Sequence, residues 1–600
     1  MGQARDEATT IWSPPTDELL PAADTTTEPL PVSQTPAPRP RVSRIRWALA
    51  LVMSVVVVGV AAGATLLVTG QTPASGLVGY VDNSSVIYAE ARLDLPGDQR
   101  QKLGEFLSKF PGFDDQSILD RKLDEALDRL ITETTKGSQD WSTKIKPWFD
   151  GQVVAGVGIP DTVSVEKPGR FHGLVVLGVR DGQAALNWFK SAVGNRTITS
   201  QQYNGTELLV VSGEKDSGAV AVADGKALLA GDVDSVRKAI DSHGHGTFAD
   251  SDGYKQARAA FTGDSLGFAV VDAQHYMDVF ARMSAPAGFP LPTVAPVLKA
   301  FLPPWLAGNL RADGDALVLD FVSPHLAATD VGDNRPSDIV GHLPATTIVA
   351  AEGHDLAAQW KKLLDAYRQV PEFQNPIHQL DSALGLLGGF DAVVGWIRDG
   401  ALVVTRNGAS VDGGLVIAPT DKTQAEHLLT ALRSFVVLGG GQAGITITDE
   451  NYNGTTISTV DFGNLNELMN LAGAGAPLAP SIPVEGNIKL SYAATDQLVV
   501  FGVDDTFVKS VLDTKADASL ASDARFKTAA DRAGAGNRGL TYIDLAGARE
   551  LIENHITDSS ERAEYERDYK PYLSALKALL LTHREDGSVD RGTEWLIVGK

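Results

Sequence analysis

Three short patterns in this chain carry residue types that do chemistry. Gly263–Gly267 reads GDSLG, the G-x-S-x-G spacing of a serine nucleophile, with Asp272 and His275 nearby in sequence. That chemistry needs the serine on a sharp turn leading from a strand into a helix. Here the order is reversed, because a helical pattern (Tyr254–Phe261) precedes Ser265 and the strand-like FAVVD follows it. Gly439–Gly444 reads GGGQAG, a G-x-G-x-x-G spacing, but it follows a helical pattern and leads into ITIT. A dinucleotide fingerprint needs a strand before it and a helix N-terminus after it to hold the pyrophosphate. His243 and His245 offer two imidazoles from one loop, without a carboxylate pair at ligand spacing. No catalytic, cofactor-binding or metal-binding residue is therefore assigned, and no cofactor is expected.

Composition narrows the remaining chemistry. The chain has 600 residues, 43% hydrophobic and 21% charged, enough for two or more domains with real cores. It contains no cysteine, which removes disulfides, thiolate nucleophiles and Cys-based metal sites together. A net charge of −23 argues against a nucleic-acid surface.

The elements that would position a site begin with Trp47–Val68, an uncharged apolar run that would be about 33 Å long as a helix, against a bilayer core of about 30 Å. Arg39, Arg41, Arg44 and Arg46 precede it, and the next basic residue is Arg92. The positive-inside rule then predicts a cytoplasmic tail over 1–46, a membrane helix over 47–69 and an extracytoplasmic remainder. A cleaved signal peptide fits less well, since its apolar region is about 7–15 residues long and lies near the terminus. The tail is rich in Pro, Thr and acid and is read as disordered. Thr9, Thr10 and Thr25–Thr27 lie among its acidic residues, so a phosphorylated tail is one form of signalling open to it. Gly59 and Gly63 share one face of the span and predict weak homodimerisation by G-x-x-x-G packing.

The remainder reads as a tandem duplication. YNGT occurs at Tyr203–Thr206 and Tyr452–Thr455, SVIYAEARLD (85–94) parallels TTIVAAEGHD (346–355), and LLAGDVDSVRKAI (228–240) parallels VVFGVDDTFVKSV (499–511). LGFAVVD ending at Asp272 meets RGLTYID ending at Asp544, and LKAFL from Leu298 meets LKALL from Leu576. The repeats are set at 78–324 and 338–600. Strand-like runs such as Val86–Ala91, Val153–Ile159, Leu174–Val179 and Gly267–Val271 alternate with helical faces such as Leu103, Phe106, Leu107 and Phe110. The Asn-Gly and Asp-Gly turns favour two-residue hairpins and antiparallel pairing. The expected fold class is α+β, two tandem homologous repeats with largely antiparallel sheets and covering helices. Asp181, Asp234, Asp421 and Asp505 precede helical patterns and are read as N-caps. The apolar Phe289–Leu306 would pack into a core or line a cleft between the repeats.

The Arg-flanked span after a Pro/Thr tail, the segment Val86–Phe113 and the duplicated remainder resemble a family of actinobacterial single-pass membrane proteins with a large extracytoplasmic domain of unknown function. The resemblance implies an envelope location in a high-GC Gram-positive organism and supplies no site residue. The function expected is non-enzymatic binding of a lipid or an envelope protein by a membrane-anchored domain. Two alternatives are a cell-envelope hydrolase with a site assembled from distant residues, and a transmembrane relay with a phosphorylatable tail.

Overall fold

The computed structural model describes residues 75–600 apart from 159–171, 195, 213–216, 243, 285–294, 296–297, 328–329, 331, 441–444, 465–486 and 535. The apolar run Trp47–Val68, with Gly59 and Gly63, lies outside the described residues. Among the described residues no helix is long and apolar enough to cross a membrane.

Twenty strands form one antiparallel sheet. In the first half they are β1 Ser85–Arg92, β2 Phe149–Gly158, β3 His172–Val179, β4 Ile198–Tyr203, β5 Thr206–Ser212, β6 Ser217–Ala223, β7 Ala227–Asp232, β8 Gly267–Asp272, β9 Trp305–Ala312 and β10 Ala316–Pro324. In the second they are β11 Thr347–Gly353, β12 Ile397–Asn407, β13 Ser410–Pro419, β14 Thr446–Tyr452, β15 Thr455–Asn464, β16 Asn487–Ala494, β17 Val499–Gly502, β18 Gly539–Asp544, β19 Leu576–Asp586 and β20 Val589–Val598. The pairings run 4-5-6-7-3-2-1-8-9-10 in the first half. They run 14-15-16-17-13-12-11-18-19-20 in the second, the same order with ten added to each number. β10 pairs with β20, so the expected separate sheets are one continuous sheet. The two last strands each present a free edge to the other, and pairing satisfies both rows of backbone groups.

Local chemistry explains the turns. Tyr203 pairs with Thr206 and Tyr452 with Thr455, leaving Asn204-Gly205 and Asn453-Gly454 as two-residue loops. Both residues of each loop have positive φ, from 45° to 88°, which Asn and Gly adopt readily. Tyr203 Oη donates to Asp241 and Tyr452 Oη to Asp513, tying each hairpin to a helix end.

Helices of eight or more residues cover both faces. In the first half they are α1 Gln99–Leu107, α2 Leu119–Thr134, α3 Gly182–Val193, α4 Val233–Ser242, α5 Asp252–Ala259 and α6 Ala273–Ser284. In the second they are α7 Leu356–Tyr367, α8 Gln374–Gly385, α9 Lys422–Gly440, α10 Asp505–Leu512, α11 Ala524–Ala533 and α12 Leu545–His555. Asp181 accepts from Ala184 N at 2.9 Å and Asp421 from Thr423 N at 2.8 Å, as N-caps do. At the other two expected caps the acceptor lies one or two residues earlier. Asp232 takes Ser235 N, and Asp504 takes Thr506 N and Phe507 N, while Asp234 and Asp505 lie in the first helical turn.

α4 and α5 pack with Tyr88, Val154 and Phe268 on one face of the first half, and α10 and α11 with Ala401, Val403 and Tyr542 on the same face of the second. The opposite face carries α1, α2 and α3 in the first half.

Candidate functional site

The motifs singled out in the sequence do not assemble. Ser265 is buried in the turn between α5 and β8, at the opposite end of β8 from Asp272. At about 3.3 Å per residue the strand separates them by roughly 20 Å. Asp272 instead accepts His275 N at 2.9 Å at the start of α6. Gly439 and Gly440 end helix α9 and strand β14 follows, so the G-x-G-x-x-G run sits in a helix-to-strand connection; Gly441–Gly444 lie outside the described residues. His245 is exposed, and His243 lies outside the described residues. Of Phe289–Leu306, residues 289–294 and 296–297 lie outside the described residues, while Trp305 and Leu306 open strand β9 and Trp305 is buried in the core of the first half. Lys299 and Lys577 do not correspond either. Asp272 pairs with Trp305 and Asp544 with Ala578, so Lys577 adjoins a strand position that Lys299 precedes by several residues.

Three polar clusters form that sequence reasoning missed, because their members are far apart in the chain. In the first half the buried Glu90 carboxylate pairs with Arg258 and accepts from Tyr88 Oη at 2.7 Å, and the Arg258 guanidinium lies 3.8 Å from the centre of the Phe268 ring. Arg258 stands seven residues after Ser251, the N-cap of α5; seven residues after Asp523, the N-cap of α11, stands Ala530, and Glu352 meets His354 Nε2 at 3.1 Å instead. Glu352 Oε2 and His354 Nδ1 have no hydrogen-bond partner among the described residues.

Beside this pair, Asp399 is fully buried and accepts from Arg335 Nη1 at 2.7 Å, Arg398 Nε at 3.1 Å and Asp355 N at 3.1 Å. Burial alone would raise its pKa, and these donors more than offset it, holding the carboxyl below its ordinary value. A cleft of about 250 Å³ opens next to it, lined by Asp355, Lys361, Phe390, Asp391, Ile397 and Arg398 among others. Asp355 and Arg398 are already engaged, with Arg335 and Asp338 respectively.

The third cluster lies at the seam of the halves. His325 Nδ1 is 3.0 Å from Asp590 and its Nε2 3.6 Å from Asp330. His325, Asp330 and Glu585 have the spacing of metal ligands, but Arg538 pairs with both carboxylates and supplies the positive charge a metal would.

The largest difference between the halves is apolar. Ladder partners share a sheet face, so Leu415 (β13), Leu402 (β12), Ala351 (β11), Thr541 (β18) and Leu581 (β19) form one row. The next row holds half-buried Val404, Val349, Ile543 and Leu579, and the row on the other side holds Gly400, Gly353 and Gly539. α7 lies at the glycine end, where Leu356 sits over Gly353 and Gly400 so closely that a Cβ on either would meet it at 2.9 Å. At the far end Arg406 reaches α12 through Glu550. α9 closes one flank with Leu428 and Leu429 against Phe501 and Tyr492, and α1 closes the other with Leu103 and Phe106 against Leu319 and Leu596. Between them the floor is open. Leu402 is 58% exposed and Leu415 38%, whereas the residues at the same ladder positions of the first half, Ala155 and Val175, are 7% and 3% exposed. There Leu127 and Ile131 of α2 share one apolar cluster with Ala155 and Val175, together with Trp141, Trp148 and Leu186. The counterpart of α2 by order, α8, has no buried residue. Of the large apolar side chains exposed among the described residues, Phe280, Leu306 and Phe321 belong to the first half and all others to the second.

The fold and this trough define an α+β protein with a helix-covered antiparallel sheet that is closed on one half and open on the other. The chain belongs to a family described as "Protein of unknown function (DUF3352)", whose profile matches residues 49–595. No curated protein matches it. A solved structure titled "Structure of crystal form I of TP0453" aligns at 7% identity and TM-score 0.21, over 44% of this chain and 82% of that one.

Proposed function

We propose that this is a single-pass membrane-anchored envelope protein whose extracytoplasmic region is a tandem duplication, and that its second half binds an apolar ligand or partner in the trough without catalysis. Identical strand order in the two halves supports the duplication. The seam supports it further: Leu310 and His583 correspond through their partners Gly267 and Gly539, so Asp320 and Thr593 correspond, and these two are directly opposite in the β10–β20 ladder. A residue paired with its own counterpart marks a local two-fold axis. The Arg-flanked run Trp47–Val68 supports the anchor.

The observation that carries the binding reading is the exposure of Leu402 and Leu415 on a floor that the first half keeps covered. A contiguous apolar surface of this kind marks an interaction site in soluble proteins. In full-length protein held in phosphatidylcholine nanodiscs, the dye bis-ANS is expected to brighten, and Leu402→Asp with Leu415→Asp to remove most of that signal. Leu438→Asp, more exposed than either but outside the trough, serves as the control. Equal brightness in all three overturns the reading. For the anchor, protease added to intact spheroplasts should digest a C-terminal tag and spare an N-terminal one; the reverse overturns it.

The hydrolase alternative has one specific location, the cleft with Lys361 and Asp391. It requires an activity that Asp391→Asn abolishes while the trough variant retains it.

A further inference from the structure

The trough differs from a protein-docking groove in three ways that bear on what fills it. Its floor strands are interior, each hydrogen-bonded to a neighbour on both sides, so an extended peptide has no backbone edge to join. As far as Leu581 the central row carries no charged side chain, and Thr541 is its one polar member; the row ends at Glu594 of β20, and the glycine row ends at exposed His583 of β19. Its dimensions are those of a chain: one row of side chains wide, crossing five strands, which at about 4.8 Å per strand is roughly 19 Å. One leaflet of a bilayer core is about 15 Å deep.

The second-half helix that matches α2 by order is unpacked. In α8, Ile377, Leu380 and Leu384 fall at i, i+3 and i+7 and so share one face, yet none is buried. The first half has the same strand order with α2 packed, and there its Leu127 and Ile131 belong to one apolar cluster with Ala155 and Val175. α8 ends in GLLGG, where Gly388 and Gly389 have φ of 97° and 91°, a backbone that side-chain-bearing residues rarely adopt and that suits a hinge.

We infer that the trough holds one uncharged aliphatic acyl chain, such as that of a fatty acid, and that α8 swings down over it in the way α2 covers the first half. This rests on the apolar-binding reading above and names its ligand.

The chain has no cysteine, so an engineered pair is the only thiol in the molecule. Full-length protein carrying Leu380→Cys and Leu402→Cys is placed in phosphatidylcholine vesicles with hexadecanoic acid bearing a terminal diazirine, irradiated and mapped by mass spectrometry. In the reduced form the adduct is expected on peptides containing position 402, Leu415 or Leu581. Oxidation should link α8 to the floor and abolish the adduct, and reduction should restore it. Failure of the pair to link under oxidant overturns the closing helix. Absence of floor adducts, or adducts spread evenly over the surface, overturns the acyl ligand. Bis-ANS binding that still depends on Leu402 then leaves the wider reading standing, and binding that does not removes both. Self-association lost on Leu402→Asp would make a second copy the occupant and also overturns the acyl assignment.

Discussion

Arg258 and Ala530 occupy the same helical position in the two halves, and the difference sets a testable cost. Glu90 keeps its charge in the interior through Arg258 and Tyr88. Removing one member of a buried ion pair leaves the other uncompensated and costs about 3 kcal/mol, whereas replacing both by neutral groups is close to neutral. Arg258→Met is therefore expected to lower the urea midpoint strongly, and Arg258→Met with Glu90→Gln to recover most of the loss; an additive double variant would mean the pair is not coupled. The seam histidines act in opposite directions. The Asp590 hydrogen bond, with Asp330 and Glu585 nearby, raises the His325 pKa, so its contribution is complete below about pH 6.5 and is lost as pH rises through the raised value. Burial lowers the pKa of His583 against the opposing pull of the Asp590 carboxylate, and Arg538 and His325 add to the lowering. Its neutral form is favoured by folding, and stability falls as pH drops through about 6.5. Thermal unfolding between pH 5.5 and 9 should lose its low-pH gain in His325→Gln and its low-pH penalty in His583→Gln. Unchanged profiles would remove these residues from the pH response.

At the scale of elements, the sequence was legible where local rules act alone. Over the described residues the strand-like runs fall in β-strands, and the Asn-Gly and Asp-Gly turns close hairpins, because alternation and positive φ are local properties. β4 and β9 went unread: β4 is mostly exposed and polar, and β9 follows a Pro-rich stretch, so neither shows the apolar run of a buried strand. The caps at Asp232 and Asp504 were misplaced because Asp-x-Asp and Asp-Asp offer two acceptors, and only backbone geometry selects the one with extended φ and ψ. That choice is measurable: Asp504→Ala should cost about 1 kcal/mol by loss of the cap. Asp505→Ala should cost a few tenths, the worth of its i,i+4 pair with Lys509. Equal losses would return the cap to Asp505. None of the polar clusters was legible, since His325 and Asp590, or Arg335 and Asp399, come together only through strand pairing.

Across the whole molecule, the β10–β20 seam makes the halves depend on each other for their cores. Ala316 and Val318 of β10 are fully buried in the cluster that contains Phe507, Tyr542 and Trp595 of the second half. In return Val589 of β20 packs against the cluster of Tyr88, Phe248 and Phe268 in the first. Nine residue pairs join the strands, from Ala316–Ile597 to Pro324–Val589, and Thr593 Oγ1 donates to Asp320 at 2.9 Å at the centre. A half that unfolds alone would strip its partner of buried side chains and expose a strand edge, so the two are expected to unfold in one transition. Val318→Ala tests this, because it removes two methyl groups from a fully buried site and should cost about 2 kcal/mol. With hydrogen exchange read by mass spectrometry through a urea series, peptides from β1–β3 and from β11–β13 should lose protection at the same midpoint in the parent. Both midpoints should shift down together in Val318→Ala. Separate midpoints in the parent, or a shift confined to the second half, would mean that the seam joins two independently stable units.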